Sequence, residues 1–155
     1  MKKVFFFAAL ACVISTSCSK EFTKKHEARF KVNGTQFNVG EDGVSASYYN
    51  GDSKTLTVQA VVGPNGMNAP TILLDLNKIN ETVAIDSAAE GYSYLGANSS
   101  IYYLPHSGEW KITSHKEGNP ASRHTEGTFS FVAVNPYDIA DTMRITEGYF
   151  YVNNY

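Results

Sequence analysis

The 155-residue sequence predicts an all-β protein, a single antiparallel β-sandwich, and three observations carry that expectation. Apolar and polar residues alternate with period two in one short segment after another, as in strands with one buried face. Gly, Asn, Asp, Pro and Ser punctuate the chain at intervals of roughly eight to twelve residues, the spacing of consecutive short strands. After the N-terminal segment, no stretch carries the 3.6-residue apolar stripe of an amphipathic helix. Roughly nine or ten strands suit a sandwich or a small barrel. No glycine pattern repeats evenly, as barrel corners require, so the sandwich is favoured; a lipocalin-like closed or partly open barrel is the alternative.

The first element is not part of the domain. Lys2 and Lys3, an apolar run from Val4 to Ile14, and the small residues Ser15-Thr16-Ser17 before Cys18 have the layout of an export signal. Eleven apolar residues cover only about 16 Å as a helix, roughly half the hydrocarbon thickness of a bilayer. Small residues followed by Cys resemble the lipobox of bacterial lipoproteins, so residues 1–17 are read as a signal peptide and Cys18 as the lipidated first residue of the mature chain. Ser15 departs from the aliphatic residue usual there, and Ala9-Leu10-Ala11-Cys12 is a rival site. Cleavage before Cys18 also removes Cys12, which leaves the remaining thiol without a disulfide partner. The lipobox resemblance implies three acyl chains on Cys18, where two suffice to hold a protein stably on a membrane.

Residues 18–28 form a polar tether in this reading, and residues 29–155 the β domain. Ser19-Lys20-Glu21 resembles the charged signal that sends lipoproteins of the Bacteroidota to the outer leaflet of the outer membrane, although that signal usually carries more acid. A lipid-anchored, outward-facing outer-membrane location is therefore expected, with the periplasmic face as the alternative. Removing residues 1–17 leaves 138 of the 155, enough for one core. Loss of Lys2 and Lys3 takes the formal net charge from −2 to −4, which disfavours nucleic acid as a partner.

Strands follow in order from Arg29. Arg29 to Val32 and Thr35 to Val39 flank Asn33-Gly34, the strongest short hairpin signal because both turn positions need positive φ. Val44 to Tyr49 and Lys54 to Val62 flank Asn50-Gly51-Asp52-Ser53, with Leu56, Val58, Ala60 and Val62 on one face. Thr71 to Leu76 is a short apolar strand, and Lys78 to Ala89 offers at most a helical turn near Ser87. Tyr92 to Leu95, Ser100 to Leu104, Glu109 to His115, Thr128 to Val134 and Met143 to Val152 complete the set. Inward Ile145 and Phe150 break strict alternation by one residue, which predicts a bulge near Gly148.

Phe30-Lys31-Val32-Asn33-Gly34-Thr35-Gln36-Phe37, Gly127-Thr128-Phe129-Ser130-Phe131 and Ile145-Thr146-Glu147-Gly148-Tyr149-Phe150-Tyr151-Val152 resemble the opening and closing motifs of an uncharacterised family of small Bacteroidota lipoproteins. The resemblance implies a shared β fold and lipoprotein status. It transfers no catalytic or binding residue.

Chemistry is sparse. No Gly-x-Ser-x-Gly occurs, and Cys18 is spent if acylated, so no enzyme is expected. His106, His115, His124 and Glu109 match no zinc spacing and are read as solvated; His115 is placed outward beside Lys111 and Thr113. Neither metal nor cofactor is expected. Ten tyrosines are the remaining lead. Tyr92 with Tyr94, and Tyr149 with Tyr151, share strand faces and are expected to form an exposed aromatic binding surface for a glycan or an envelope protein. Asp86-Ser87-Ala88 and Asp141-Thr142-Met143 resemble the short O-glycosylation acceptor of exported Bacteroidota proteins, at Ser87 and Thr142. The expected function is a non-catalytic, membrane-anchored binding module; the alternative is a carrier of a small apolar ligand.

Overall fold

The computed structural model describes residues 24–62, 69–87, 93–95 and 102–155. The expected signal segment, Cys18, most of the expected tether and Tyr92 lie outside these residues. The side chain of Tyr94 does too.

Asn33 and Gly34, at φ 48° and 86°, turn β1 (Glu27–Val32) into β2 (Thr35–Val39), as the Asn-Gly pair predicts. A 3-10 turn at Glu41–Gly43 leads to β3 (Val44–Asn50), β4 (Lys54–Ala60) and β5 (Ala69–Asp75). After β6 (Thr82–Asp86) and β7 (Ser93–Leu95) come three long strands: β8 (Tyr102–Lys116), β9 (His124–Asn135) and β10 (Asp138–Asn153). All ladder pairings between these strands are antiparallel.

The strands form a β-sandwich of two antiparallel sheets joined through β8. The front sheet runs β2-β1-β10-β9-β8-β6, and the back sheet runs β3-β4-β5-β7 to the start of β8. The terminal strands β2 and β3 do not pair, so no barrel closes. On the front sheet Phe30, Trp110, Phe129, Phe131 and Phe150 point inward; Leu56, Val58, Ile72 and Leu74 meet them from the back. Phe129 sits at the centre, its ring centroid 6.4 to 6.5 Å from those of Phe30, Phe131 and Phe150. Burying each such ring stabilises the fold by roughly 1.5–3 kcal/mol.

These rings fit because each of three lies opposite a glycine. Gly108 pairs with Phe131, Gly127 with Phe150, and Gly148 with Phe129. A Cβ on Gly148 would stand 2.7 Å from the Phe129 ring and closer still to the Phe129 carbonyl. The register that brings Gly148 to Phe129 depends on the expected bulge. Ile145 faces Phe131 and Gly148 faces Phe129, so β10 spends one extra residue there, and Glu147 takes it up at φ 51°.

Several boundaries differ from the sequence reading. β1 starts at Glu27, and His26 is fixed by contacts of its two ring nitrogens with the carbonyls of Val44 and Asn153, so ordered structure reaches into the tether. β6 falls where no strand was expected. The two strands expected at Ser100–Leu104 and Glu109–His115 are one, because Pro105 and His106 occupy a bulge instead of a break. A second bulge between Ile112 and Ser114 flips the parity of β8, so His115 faces inward opposite the buried Thr125, not outward with Lys111.

Replacing Gly148 by Ala should destabilise the domain by about 1–3 kcal/mol, a fall in Tm of roughly 4–11 °C. Gly40→Ala is the control: a Cβ there meets nothing within 4 Å, and the expected change is under about 0.5 kcal/mol. Thermal unfolding by circular dichroism measures both.

Candidate functional site

Side chains on the outer face of the front sheet alternate with the core residues and are mostly polar. Register aligns them in rows. Asn38, Arg29, Tyr149, Thr128, Lys111 and Thr82 stand directly opposite one another across six strands. Five strand spacings make this row about 24 Å long. In the neighbouring row Gln36 faces Lys31, which faces Thr146, while Ser130 faces Glu109.

A groove follows these rows. A depression of about 380 Å³ lies over Lys111, Thr128, Ser130, Glu109 and Tyr149. A second, of about 320 Å³, continues it over Arg29, Gln36 and Asn38, and the two share Glu147 and Tyr149. Both meet at the bulge of β10. Bulges re-aim side chains in this way beside functional surfaces.

Tyr149 is held firmly in the middle. Its hydroxyl donates to Glu126 Oε1 at 3.0 Å and accepts from Lys24 Nζ at 2.6 Å. The guanidinium of Arg29 lies 4.5 Å above its ring. Burial raises the pKa of the phenol, with the Lys24 hydrogen bond opposing that shift. Glu147 is engaged by Lys31 at 2.6 Å.

The tyrosines expected to form one binding face are differently placed where they are described. Tyr149 lines the groove, but Tyr151 is only 2 % exposed. The Lys24 ammonium sits 4.1 Å over the Tyr151 ring, and His124 stacks on it at 5.9 Å. Tyr94 belongs to the back sheet, and Tyr92 lies outside the described residues. Sequence reading missed Arg29, Asn38, Thr128 and Lys111 as companions of Tyr149, because cross-strand neighbours emerge only from register. Ser87 and Thr142 are both exposed. Among the described residues no three His, Cys, Asp or Glu side chains gather as a metal site.

Two other features stand apart from the groove. At the β9–β10 hairpin, Tyr137 and Ile139 are 92 % and 81 % exposed, near half-exposed Tyr102 and Leu104. The Asn135 and Asp138 side chains accept the backbone N–H groups of Tyr137 and Ala140 and hold that tip in shape. At the opposite end, Thr125 is fully buried and bonded to His115 Nδ1 at 2.8 Å and to the Tyr155 hydroxyl. Arg123 donates to the Tyr155 backbone oxygen at 2.7 Å and lies 4.2 Å over the Tyr48 ring. This network ties both sheets together at that end.

Comparison with family models, curated proteins and solved structures finds no match to this chain.

Burial, opposed by the Glu117 carboxylate, lowers the pKa of His115 below the usual histidine value. The native state therefore binds its proton less tightly than the unfolded chain, whose histidines titrate near about 6.5. The stability held at pH 7.5 should fall as pH drops below about 6.5 and on through the native pKa. In His115→Gln that part of the slope should vanish. Denaturant titrations at pH 7.5 and 5.5 on both proteins measure the difference, and equal slopes would refute it.

Proposed function

We propose that the protein is a non-catalytic, membrane-anchored module that binds a glycan in the groove on the outer face of its front sheet. The observation that carries this reading is the row from Asn38 to Thr82, a rigid line of hydroxyl, amide and charged groups across six strands. A polyhydroxylated chain needs donors and acceptors along its length, and a sheet holds them in place before binding, so little ordering entropy is lost. Thr82, Thr128, Ser130, Gln36 and Asn38 supply such groups around Tyr149. The carrier alternative needs an enclosed cavity, whereas this sheet stays open and its interior is filled by aromatic rings.

Anchoring belongs to the same proposal. Cys18 lies six residues before Lys24, about 20 Å of extended chain, and Lys24 itself touches Tyr149. An acyl chain on Cys18 would hold the groove close to the membrane that carries it. The resemblance of Ser19-Lys20-Glu21 to the export signal of Bacteroidota lipoproteins supports an outer-membrane location, facing outward.

A second reading, docking of an envelope protein, has its own observation in the exposed apolar tip of Tyr137 and Ile139. It needs no groove.

A glycan array probed with the full chain in nonionic detergent tests the first reading. At least one glycan class should bind, and Tyr149→Ala should weaken it about tenfold, the scale of a central interface residue. Binding that survives in Tyr149→Ala, or silence across the array, would defeat the reading and leave the tip as the candidate. For the anchor, Cys18→Ala should move the protein from the detergent phase to the aqueous phase on Triton X-114 partition. Retention in the detergent phase would point to Cys12 or an uncleaved signal.

A further inference from the structure

We infer that the groove selects acidic glycans, chains that carry carboxylate or sulfate groups at intervals; the inference rests on the glycan reading above. The argument is the state of the charges along the groove. Arg29 and Lys111 stand in the same cross-sheet row, and Arg144 lines a further depression of about 150 Å³ that adjoins the groove at Ser130. Among the described residues, the salt bridges are Lys24–Glu27, Lys25–Glu41, Lys31–Glu147 and Lys54–Glu117, so none of these three cations meets a carboxylate within 4 Å.

The acids of the same face are differently placed. Glu147 is neutralised by Lys31, whereas Glu126, which accepts from the neutral Tyr149 hydroxyl and keeps its charge, lies outside the lining of the depressions. Of the two carboxylates that line the depressions, Glu147 and Glu109, Glu109 alone has no cation partner. Along the lining of the depressions, three cations without a carboxylate partner thus stand against one carboxylate without a cation partner, on a mature chain whose formal charge is −4. A concentration of one sign against the sign of the whole molecule marks a surface built for an oppositely charged ligand.

Arg29 shows how recognition would work. The Arg29 guanidinium lies over the Tyr149 ring at 4.5 Å, and the Arg29 side chain makes no hydrogen bond among the described residues. Its in-plane N–H fork is therefore held in position with donors to spare, the geometry that suits a bidentate carboxylate or sulfate. Lys111 lies three strand spacings away, about 14 Å along the row. An extended chain with anionic groups at regular intervals can reach both, whereas a single small anion cannot.

Calorimetric titration of the full chain in nonionic detergent with tetragalacturonate and with neutral cellotetraose tests the inference. The acidic tetrasaccharide should bind about tenfold tighter at low salt, as two charge-assisted contacts allow. That preference should shrink severalfold between 20 and 200 mM salt, on the order of the screening expected for exposed charges. Arg29→Gln combined with Lys111→Gln should cut the acidic-to-neutral affinity ratio at least about fivefold. Lys54→Gln combined with Lys78→Gln, an equal change of charge at the start of β4 and in the turn after β5, should leave the ratio unaltered; unfolding midpoints of both variants check that they fold. If both sugars bind equally in the parent chain, acid selection is overturned while the glycan reading stands. If neither sugar binds and the wider array is silent, the glycan reading itself falls. Equal binding of a single-stranded oligothymidylate would also overturn the inference, since the groove would then be a general polyanion surface.

Discussion

The pairing of a glycine with an aromatic ring, three times over on adjacent strands, is the constraint on which the rest of the structure depends. β8, β9 and β10 carry Trp110, Phe129, Phe131 and Phe150 on one face within a few residues of one another. Trp110 already faces Phe129 from β8 and Ile145 faces Phe131 from β10, and bulky side chains on the other neighbouring strand as well would overfill the space of about 10 Å between packed sheets. Gly108, Gly127 and Gly148 leave the room each opposing ring needs, and the ring in turn covers the backbone that glycine exposes. A glycine in a strand costs about 0.5–1 kcal/mol of conformational entropy, which ring burial of roughly 1.5–3 kcal/mol outweighs.

The same constraint shapes the outside. Gly148 reaches Phe129 only because β10 inserts an extra residue between Ile145 and Gly148. That residue protrudes on the outer face, where Glu147 meets Lys31 and lines both depressions of the groove. Core packing and groove formation are thus two faces of one bulge. A change that removed the bulge would shift Tyr149 from the outer row to the inner face, since a one-residue slip inverts every side chain beyond it.

Much of this was legible in the sequence where local rules suffice. Asn33-Gly34 fixes a hairpin because few other pairs accept its backbone, and the broken alternation between Ile145 and Phe150 located the bulge. β6 was legible too: Thr82 to Asp86 alternates, with Val83 and Ile85 facing the sheet interior, but its flanks of Lys, Asn and Ser drew attention to a turn. Pro105 and Gly108 read as a break in β8. In the fold, Pro105 falls between the residues that β7 pairs and those that β6 pairs, so its missing N–H interrupts neither ladder. Long-range register was beyond reach. It alone decides that Tyr151 lies under Lys24 and His124, and that Arg29 and Lys111 share a row with Tyr149.

The open seam explains why the recognition we propose is assigned to the outer face. Closure into a barrel would require β2 to pair with β3, and the turn at Glu41–Gly43 leads the chain to the other sheet instead. The seam is bridged by a side chain: His26 contacts the carbonyls of Val44 on β3 and Asn153 on β10. At the same end Tyr155 fills the gap between Tyr48 and Thr125. A sandwich sealed in this way holds rings where a barrel of similar strand number encloses a ligand. The polar rows outside remain, and their ordered spacing comes from the same strands that pack the rings within.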